Sequence, residues 1–273
     1  MKVRAPASTA NLGPGFDCLG AALTVSLEIE TRSQEPLPKI VRRAIAAGAG
    51  QDSSDAHGAI DSQIPTARGL GSSAACVAAG LVIGAVSAGR DIDRLELLRA
   101  GTPIEGHPDN LAPALLGGIT LCLPDGSAIR YEPSGVVRPL ILVPGESLRT
   151  SEARKVLPDD VPRADAIANA ARTAGLLTML TGAAEATPER LLECTEDRLH
   201  QPYRAPLMER TTSAIAVLRE RGIAAAVSGA GPSIVCLVLR AAEDAARDAS
   251  AELDGWRLLN VDWDLEGART LEP

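Results

Sequence analysis

The stretch Pro65-Thr66-Ala67-Arg68-Gly69-Leu70-Gly71-Ser72-Ser73 runs without a break into Ala74 to Ala88, a segment made mostly of alanine, valine, leucine and isoleucine. A helix that is apolar almost all round has no face to give to water, so it must lie at the centre of its domain. A glycine-rich loop is thereby pinned to the N-terminus of a buried helix. Glycines let backbone amides converge on oxygen atoms, and the helix adds its positive dipole end, which together make an anion site. Taken alone, the same residues also fit a close-packed turn with a double-serine cap. The P-loop pattern fails, because no lysine follows Gly71, and Gly-x-Gly-x-x-Gly fails as well. Lysine is scarce throughout, at Lys2, Lys39 and Lys155 only, so Schiff-base chemistry has few candidates.

Composition narrows the partners. Lys+Arg 27 against Asp+Glu 35 gives a net charge of −8, so no basic field exists to hold a nucleic acid or an anionic membrane. One Phe, two Trp and two Tyr cannot build a base-stacking platform. The five cysteines, Cys18, Cys76, Cys122, Cys194 and Cys236, are scattered and form no C-x-x-C pair, which reads as reduced thiols of a cytoplasmic protein. His57, His107 and His200 show no zinc-type spacing. The N-terminus turns polar at Ser8-Thr9 before a signal-type apolar region can form. The most apolar run, Ala74 to Gly89, is shorter than the roughly 18 to 20 residues of a membrane span. The 273 residues suffice for one large or two modest domains.

Period-two patterning predicts strands at Val3 to Ala7 and Leu23 to Thr31, with Ser8 to Asp17 as a shaped loop between them. Helical spacing follows at Lys39 to Ala49, then Gly50 to Gln63 reads as a polar, weakly patterned connection. A helix over Asp93 to Ala100 has Asp91 or Asp93 as its cap. Strands are expected at Ile119 to Leu123, Ala128 to Tyr131 and Arg138 to Val143. Helices follow around Ser151 to Leu157, Ala164 to Gly182, Pro188 to Leu199 and Pro206 to Arg221. The chain closes with strands at Ile223 to Val227, Ile234 to Leu239 and Trp256 to Trp263, and a helix at Ala241 to Glu252. A boundary near Val143 to Glu146 divides it into 1–144 and 145–273.

Between two of the last strands lies a second loop of small residues, Ser228-Gly229-Ala230-Gly231-Pro232-Ser233. It is either a roomy hairpin or a place where something passes close to the backbone. Glu105 and Asp109 add carboxylates, and phosphoryl transfer needs a phosphate cradle, an oxygen ligand for Mg²⁺ and a group that orients the acceptor hydroxyl. Each feature has a plain reading too: His107 can be a packed histidine, and Arg154 and Arg204 solvated cations.

Read in order, PASTANLGPGFDCLG (6–20), PTARGLGSSAA (65–75), EGHPDNLAPALLGG (105–118), TSEARKVLP (150–158), EDRLHQPYRAPLM (196–208) and SGAGPS (228–233) resemble the homoserine kinases of the GHMP small-molecule kinase superfamily. The resemblance spans nearly the whole chain and is weakest between Arg32 and Gln63. It implies an α+β fold of two domains: an N-terminal ATP-binding domain like ribosomal protein S5 domain 2, and a ferredoxin-like C-terminal domain. It also implies ATP-dependent phosphorylation of the L-homoserine side-chain hydroxyl, in threonine biosynthesis, by a homodimer. The competing readings are another GHMP kinase acting on mevalonate or a sugar, and a nucleotide-binding homologue with impaired turnover.

By position, the resemblance assigns Mg²⁺ to Ser73 and Glu105, a hydroxyl and a carboxylate suited to a hard cation. It assigns the ATP phosphates to Pro65, Thr66, Ala67, Arg68, Gly69, Leu70, Gly71, Ser72, Ser73, Ala74 and Ala75. Asn11, Asp17, His107 and Asp109 fall around the substrate amine and hydroxyl, with Asp17 orienting rather than abstracting. Thr150, Arg154 and Arg204 form the clamp on the substrate carboxylate, for which a planar guanidinium fork is well shaped. Backbone amides in place of a P-loop lysine account for the scarcity of lysine. Lys39-Ile40-Val41 stands where these kinases carry an asparagine-containing stretch that meets adenine.

Overall fold

In the computed structural model, which describes residues 1–52 and 55–271, strands β1 (Lys2–Asn11) and β2 (Gly15–Glu30) form a long antiparallel pair. Both expected strands are present but extended, and the expected loop shrinks to Leu12, Gly13 and Pro14. The register shifts between Pro6 and Ala7 and again between Ala10 and Asn11, so β1 bends while burying every residue from Ala5 to Asn11. Helix α1 (Lys39–Ala49) matches its expected span. Strand β3 (Ala59–Ser62) corrects the expected unpatterned connection: it pairs with Leu27 to Glu30 of β2. Ile60 alone in it is half-buried and packs on the core, while Ala59, Asp61 and Ser62 are exposed, and one such position on an edge strand makes no period-two signal. Residues 53 and 54 of that connection lie outside the described residues.

Helix α2 (Ser72–Ser87) takes the central place its composition demands, packed between α1 and the sheet. Its glycines permit close approach, since a Cβ on Gly84 would sit 2.0 Å from the Ile45 carbonyl oxygen of α1. Helix α3 (Arg94–Glu105) starts on Asp93, whose carboxylate accepts from the amides of Leu95 and Glu96. It runs past the expected end at Ala100, through Pro103, to a left-handed Gly106. Helix α4 (Leu111–Leu116) and strands β4 (Ile119–Cys122) and β5 (Ala128–Tyr131) complete the first layer pair.

Strand β6 (Val137–Pro144) opens a second sheet. It is followed by α5 (Thr150–Lys155), α6 (Arg163–Thr181), α7 (Pro188–Cys194), α8 (Gln201–Arg204) and α9 (Glu209–Glu220). Then come β7 (Ala224–Val227), β8 (Ile234–Leu239), α10 (Glu243–Ala251), β9 (Trp256–Leu259) and β10 (Arg269–Thr270). The helix expected over 188–199 stops at Cys194, because Asp197 accepts the amides of Leu199, His200 and Gln201 and starts α8 instead.

Among the described residues the first sheet has the order β10-β1-β2-β4-β5, with β3 also on β2, and the second the order β7-β8-β6-β9. The second is a strand–helix–strand–strand–helix–strand unit, the ferredoxin-like arrangement. Strand β6 bonds to β8 and β9, so the changeover between sheets falls at about residues 132–136, ahead of the expected division into 1–144 and 145–273. The last residues return to the first sheet through a Leu23–Trp263 bridge and the β1–β10 pair.

Candidate active site

A cleft of about 340 Å³ opens where the two sheets' helices and loops meet. Its floor is the 65–73 loop. Gly69 and Gly71 hold φ of +73° and +64°, values that cost a side chain energy but not glycine. A Cβ on Gly69 would lie 2.1 Å from the Ser228 carbonyl oxygen. The loop therefore lies against the Ser228–Ser233 turn, with Ser228 Oγ donating to the Gly69 carbonyl at 2.7 Å. The close-passage reading of that turn holds, and what passes is the phosphate loop itself. No side chain caps α2, which leaves its first amides open to anionic oxygens.

All but two of the expected site residues line this cleft; Ala74 and Ala75 are fully buried beneath it and carry the loop from below. Arg68 sits on the rim with its guanidinium turned aside, donating to the carbonyls of Thr66, Pro144 and Gly145. It braces the loop against the start of the second half.

Ser73 Oγ donates to Glu105 Oε2 at 2.6 Å, joining the first turn of α2 to the last residue of α3. Burial pushes the Glu105 carboxyl up, with the Ser73 hydrogen bond opposing it. His107 Nδ1 and Asp109 Oδ1 are 2.9 Å apart, so this pair shares a face although a proline separates it. Burial works against protonation of His107, but the bond and charge of Asp109 outweigh it and raise its pKa.

Across the cleft, Arg154 is bidentate on Asp17, Nη1 to Oδ2 at 2.9 Å and Nη2 to Oδ1 at 2.6 Å. Asn11 joins the start of β2 to the Ser228–Ser233 turn: its Nδ2 donates to the Gly229 carbonyl at 2.8 Å and its Oδ1 accepts from the Asp17 amide at 3.1 Å. Arg204 is 1% exposed. Its Nε donates to the Ala153 carbonyl at 3.0 Å, and burial with Arg154 nearby lowers it to about 10, still a cation at neutral pH. Thr150 opens α5 at the cleft mouth.

Among the described residues four non-glycines have positive φ: Asn11, Leu12, Asp17 and Ala67. Three of them are expected site residues, the clustering of strained backbone typical of functional sites. Cys76, Asn110 and Leu148 also line the cleft without having been singled out from the sequence, as do Ile40, from the stretch at the adenine position, and Gly229 and Ala230, from the second loop, to which no site role was assigned. Sequence reasoning also missed Phe16, whose ring lies 5.3 and 5.7 Å from the Arg204 and Arg154 guanidinium carbons. Phe16 is the one phenylalanine in the chain, a signal the composition did offer.

Among the described residues no group of three or more His, Cys, Asp or Glu could cage a metal. The Ser73–Glu105 oxygen pair fits instead a hard cation that takes its other ligands from phosphate and water.

A cleft floored by helix-terminal amides and walled by acids and arginines, between an S5-like and a ferredoxin-like layer, defines a GHMP-type small-molecule kinase. The family model "GHMP kinases N terminal domain" matches residues 37–118, and "GHMP kinases C terminal" matches 179–255. The chain is 40% identical to the homoserine kinase of Streptomyces avermitilis, with 99% of this chain and 95% of that protein covered. It is 38% identical to that of Clavibacter michiganensis, covering 98% and 93%. A crystal structure of homoserine kinase from Cytophaga hutchinsonii shares the fold, with a TM-score of 0.80 at 23% identity over 98% of this chain and 96% of that one. The chain belongs to the homoserine kinase family.

Proposed function

We propose that this chain transfers the γ-phosphoryl group of ATP to the side-chain hydroxyl of L-homoserine, giving O-phospho-L-homoserine for threonine synthesis. Family membership at 40% identity supports the reaction. The observation that carries the reading is one cleft with an amide-lined loop on its floor and a paired Asp17–Arg154, with Arg204 behind it, on its wall. The loop suits polyphosphate, and the wall suits a small amino acid with one cationic and one anionic end.

In this reading the amides of residues 65–75 receive the ATP phosphates. Ser73 and Glu105 would hold Mg²⁺, which when bound neutralises charge on the β- and γ-phosphate oxygens. The substrate carboxylate takes Arg154 away from Asp17 and joins Arg204 and Thr150. Asp17, released, faces the ammonium with Asn11. Asp109 holds His107 in orientation, and together they aim the hydroxyl at phosphorus. No strong general base is needed, because the loose transition state calls for positioning and charge neutralisation. Among the described residues no helix is long and apolar enough to cross a membrane. A homodimer is the further expectation that the family resemblance supports, and a cytoplasmic location the one that the five scattered cysteines support.

A coupled ADP-release assay with homoserine, threonine, serine and mevalonate as acceptors tests this. Turnover confined to homoserine is expected. Silence on all four, with ATP still bound, would sink the proposal in favour of a binding protein.

A further inference from the structure

Arg154 and Arg204 reach the same part of the cleft but are held differently. Arg154 is neutralised by Asp17. Among the described residues no carboxylate pairs with Arg204: its hydrogen bonds go to the carbonyls of Ala153 and Gly229, at 3.0 and 3.2 Å, and to the ring of His200. A buried guanidinium satisfied by neutral acceptors keeps its positive charge for a ligand.

His200 makes this arrangement work. It is fully buried, one turn before Arg204, at the start of the short helix that Asp197 caps. Nε2 lies 2.9 Å from the Gly13 carbonyl oxygen, which can only accept, so Nε2 carries a proton. Nδ1 lies 3.0 Å from Arg204 Nη1, which can only donate, so Nδ1 is the bare acceptor. Both partners demand the same neutral tautomer. The ring also stacks on Phe16, centroids 5.2 Å apart and planes 25° apart, and Phe16 in turn lies under the Arg204 guanidinium. His200 thus ties the turn after β1 to the arginine of α8.

We propose that His200 is a positioning residue for substrate recognition: as a neutral Nδ1 acceptor fixed by Gly13, it aims Arg204 at the substrate carboxylate without neutralising its charge. This rests on the carboxylate-clamp reading of Arg204 given above. Burial, with the Arg204 cation adjacent, lowers the His200 pKa against the opposing pull of Asp197 and keeps the ring neutral.

The test compares His200→Phe and His200→Asn in the full chain, with homoserine and homoserine methyl ester as acceptors. The phenylalanine keeps an aromatic ring beside Phe16 but offers Arg204 no lone pair. It is expected to raise the homoserine KM about tenfold or more, the scale of one hydrogen bond to a charged group. The ATP KM and the ester KM should stay within about twofold, since the ester lacks the charge that Arg204 receives. The asparagine, whose amide oxygen falls near the Nδ1 position, should recover most of the loss. Should the phenylalanine variant fail to fold, His200→Gln, which reaches toward Gly13 but not to Nδ1, takes its place with the same expectation. An unchanged homoserine KM, equal rises for homoserine and ester, or an asparagine no better than the variant it is compared with would overturn the proposal. A wild-type protein inactive on homoserine would overturn the kinase reading itself, a separate and recognisable result.

Discussion

Glu105 shows at the residue scale what the site asks of the fold. It ends a helix beside Ser73, in surroundings that penalise its charge and raise its pKa. A carboxyl whose folded pKa lies above its unfolded value binds more protons when folded, so it lowers stability once pH has risen past that folded value. The isosteric amide removes this penalty while removing a ligand suited to Mg²⁺. Glu105→Gln should therefore lower kcat about 10²-fold or more and raise the Mg²⁺ concentration for half-maximal rate, the scale of losing one preorganised charge-stabilising group. Its melting temperature without ligands should match or exceed the wild type's. A variant that melts earlier and turns over normally would show Glu105 to be structural.

At the element scale the phosphate loop depends on a neighbour distant in sequence. Gly69 has positive φ and sits against the backbone of the Ser228–Ser233 turn, whereas Gly106 has φ +98° with nothing within 4 Å of a Cβ. Gly69→Ala should cost about 1–3 kcal/mol and weaken ATP binding, since the loop must shift as well as strain. Gly106→Ala should cost about 1 kcal/mol, the backbone term alone. Equal melting temperatures for the two variants would refute the contact's importance.

Legibility follows the same line between local and distant causes. Helix α2 announced itself, because an all-apolar run at helical length has few alternatives. Strand β3 did not, since its pairing with β2 is made by backbone bonds while three of its four side chains are exposed and only Ile60 packs on the core. Ser8 to Asn11 read as turn because small polar residues can also be buried in a bent strand beside a ligand cleft. Among site residues, Ser73 and Glu105 were placed together by the family resemblance, and the structure has them in contact. The His107–Asp109 contact depends on side-chain directions in a turn that spacing does not specify. The Asp17–Arg154 pair and the Phe16–His200–Arg204 stack join segments more than a hundred residues apart, beyond any periodic signal.

For the whole molecule, the two sheets are held together at the site. His200 of the second half donates to Gly13 of the first, and Trp263 Nε1, near the C-terminal return to the first sheet, donates to the carbonyl of Val137 in the second. His200 lies below its ordinary value of 6.5, mainly through burial. Between the folded and unfolded values the unfolded chain binds more protons, so stability rises with pH there. The contribution is complete above about 6.5 and is lost as pH falls toward the folded value. The melting temperature should therefore drop more between about pH 7.5 and about pH 5.5 in the wild type than in His200→Phe, which has no group to titrate. Parallel drops would mean the join does not sense this proton.

In the proposed reaction one cleft delivers the γ-phosphoryl group to an amino-acid hydroxyl rather than to water. Phosphorus NMR of the chain with ATP, Mg²⁺ and L-homoserine measures this directly. ADP and a phosphomonoester should rise together in equal amounts, with no ADP when homoserine is omitted. ADP accompanied by inorganic phosphate, whether or not homoserine is present, would contradict it.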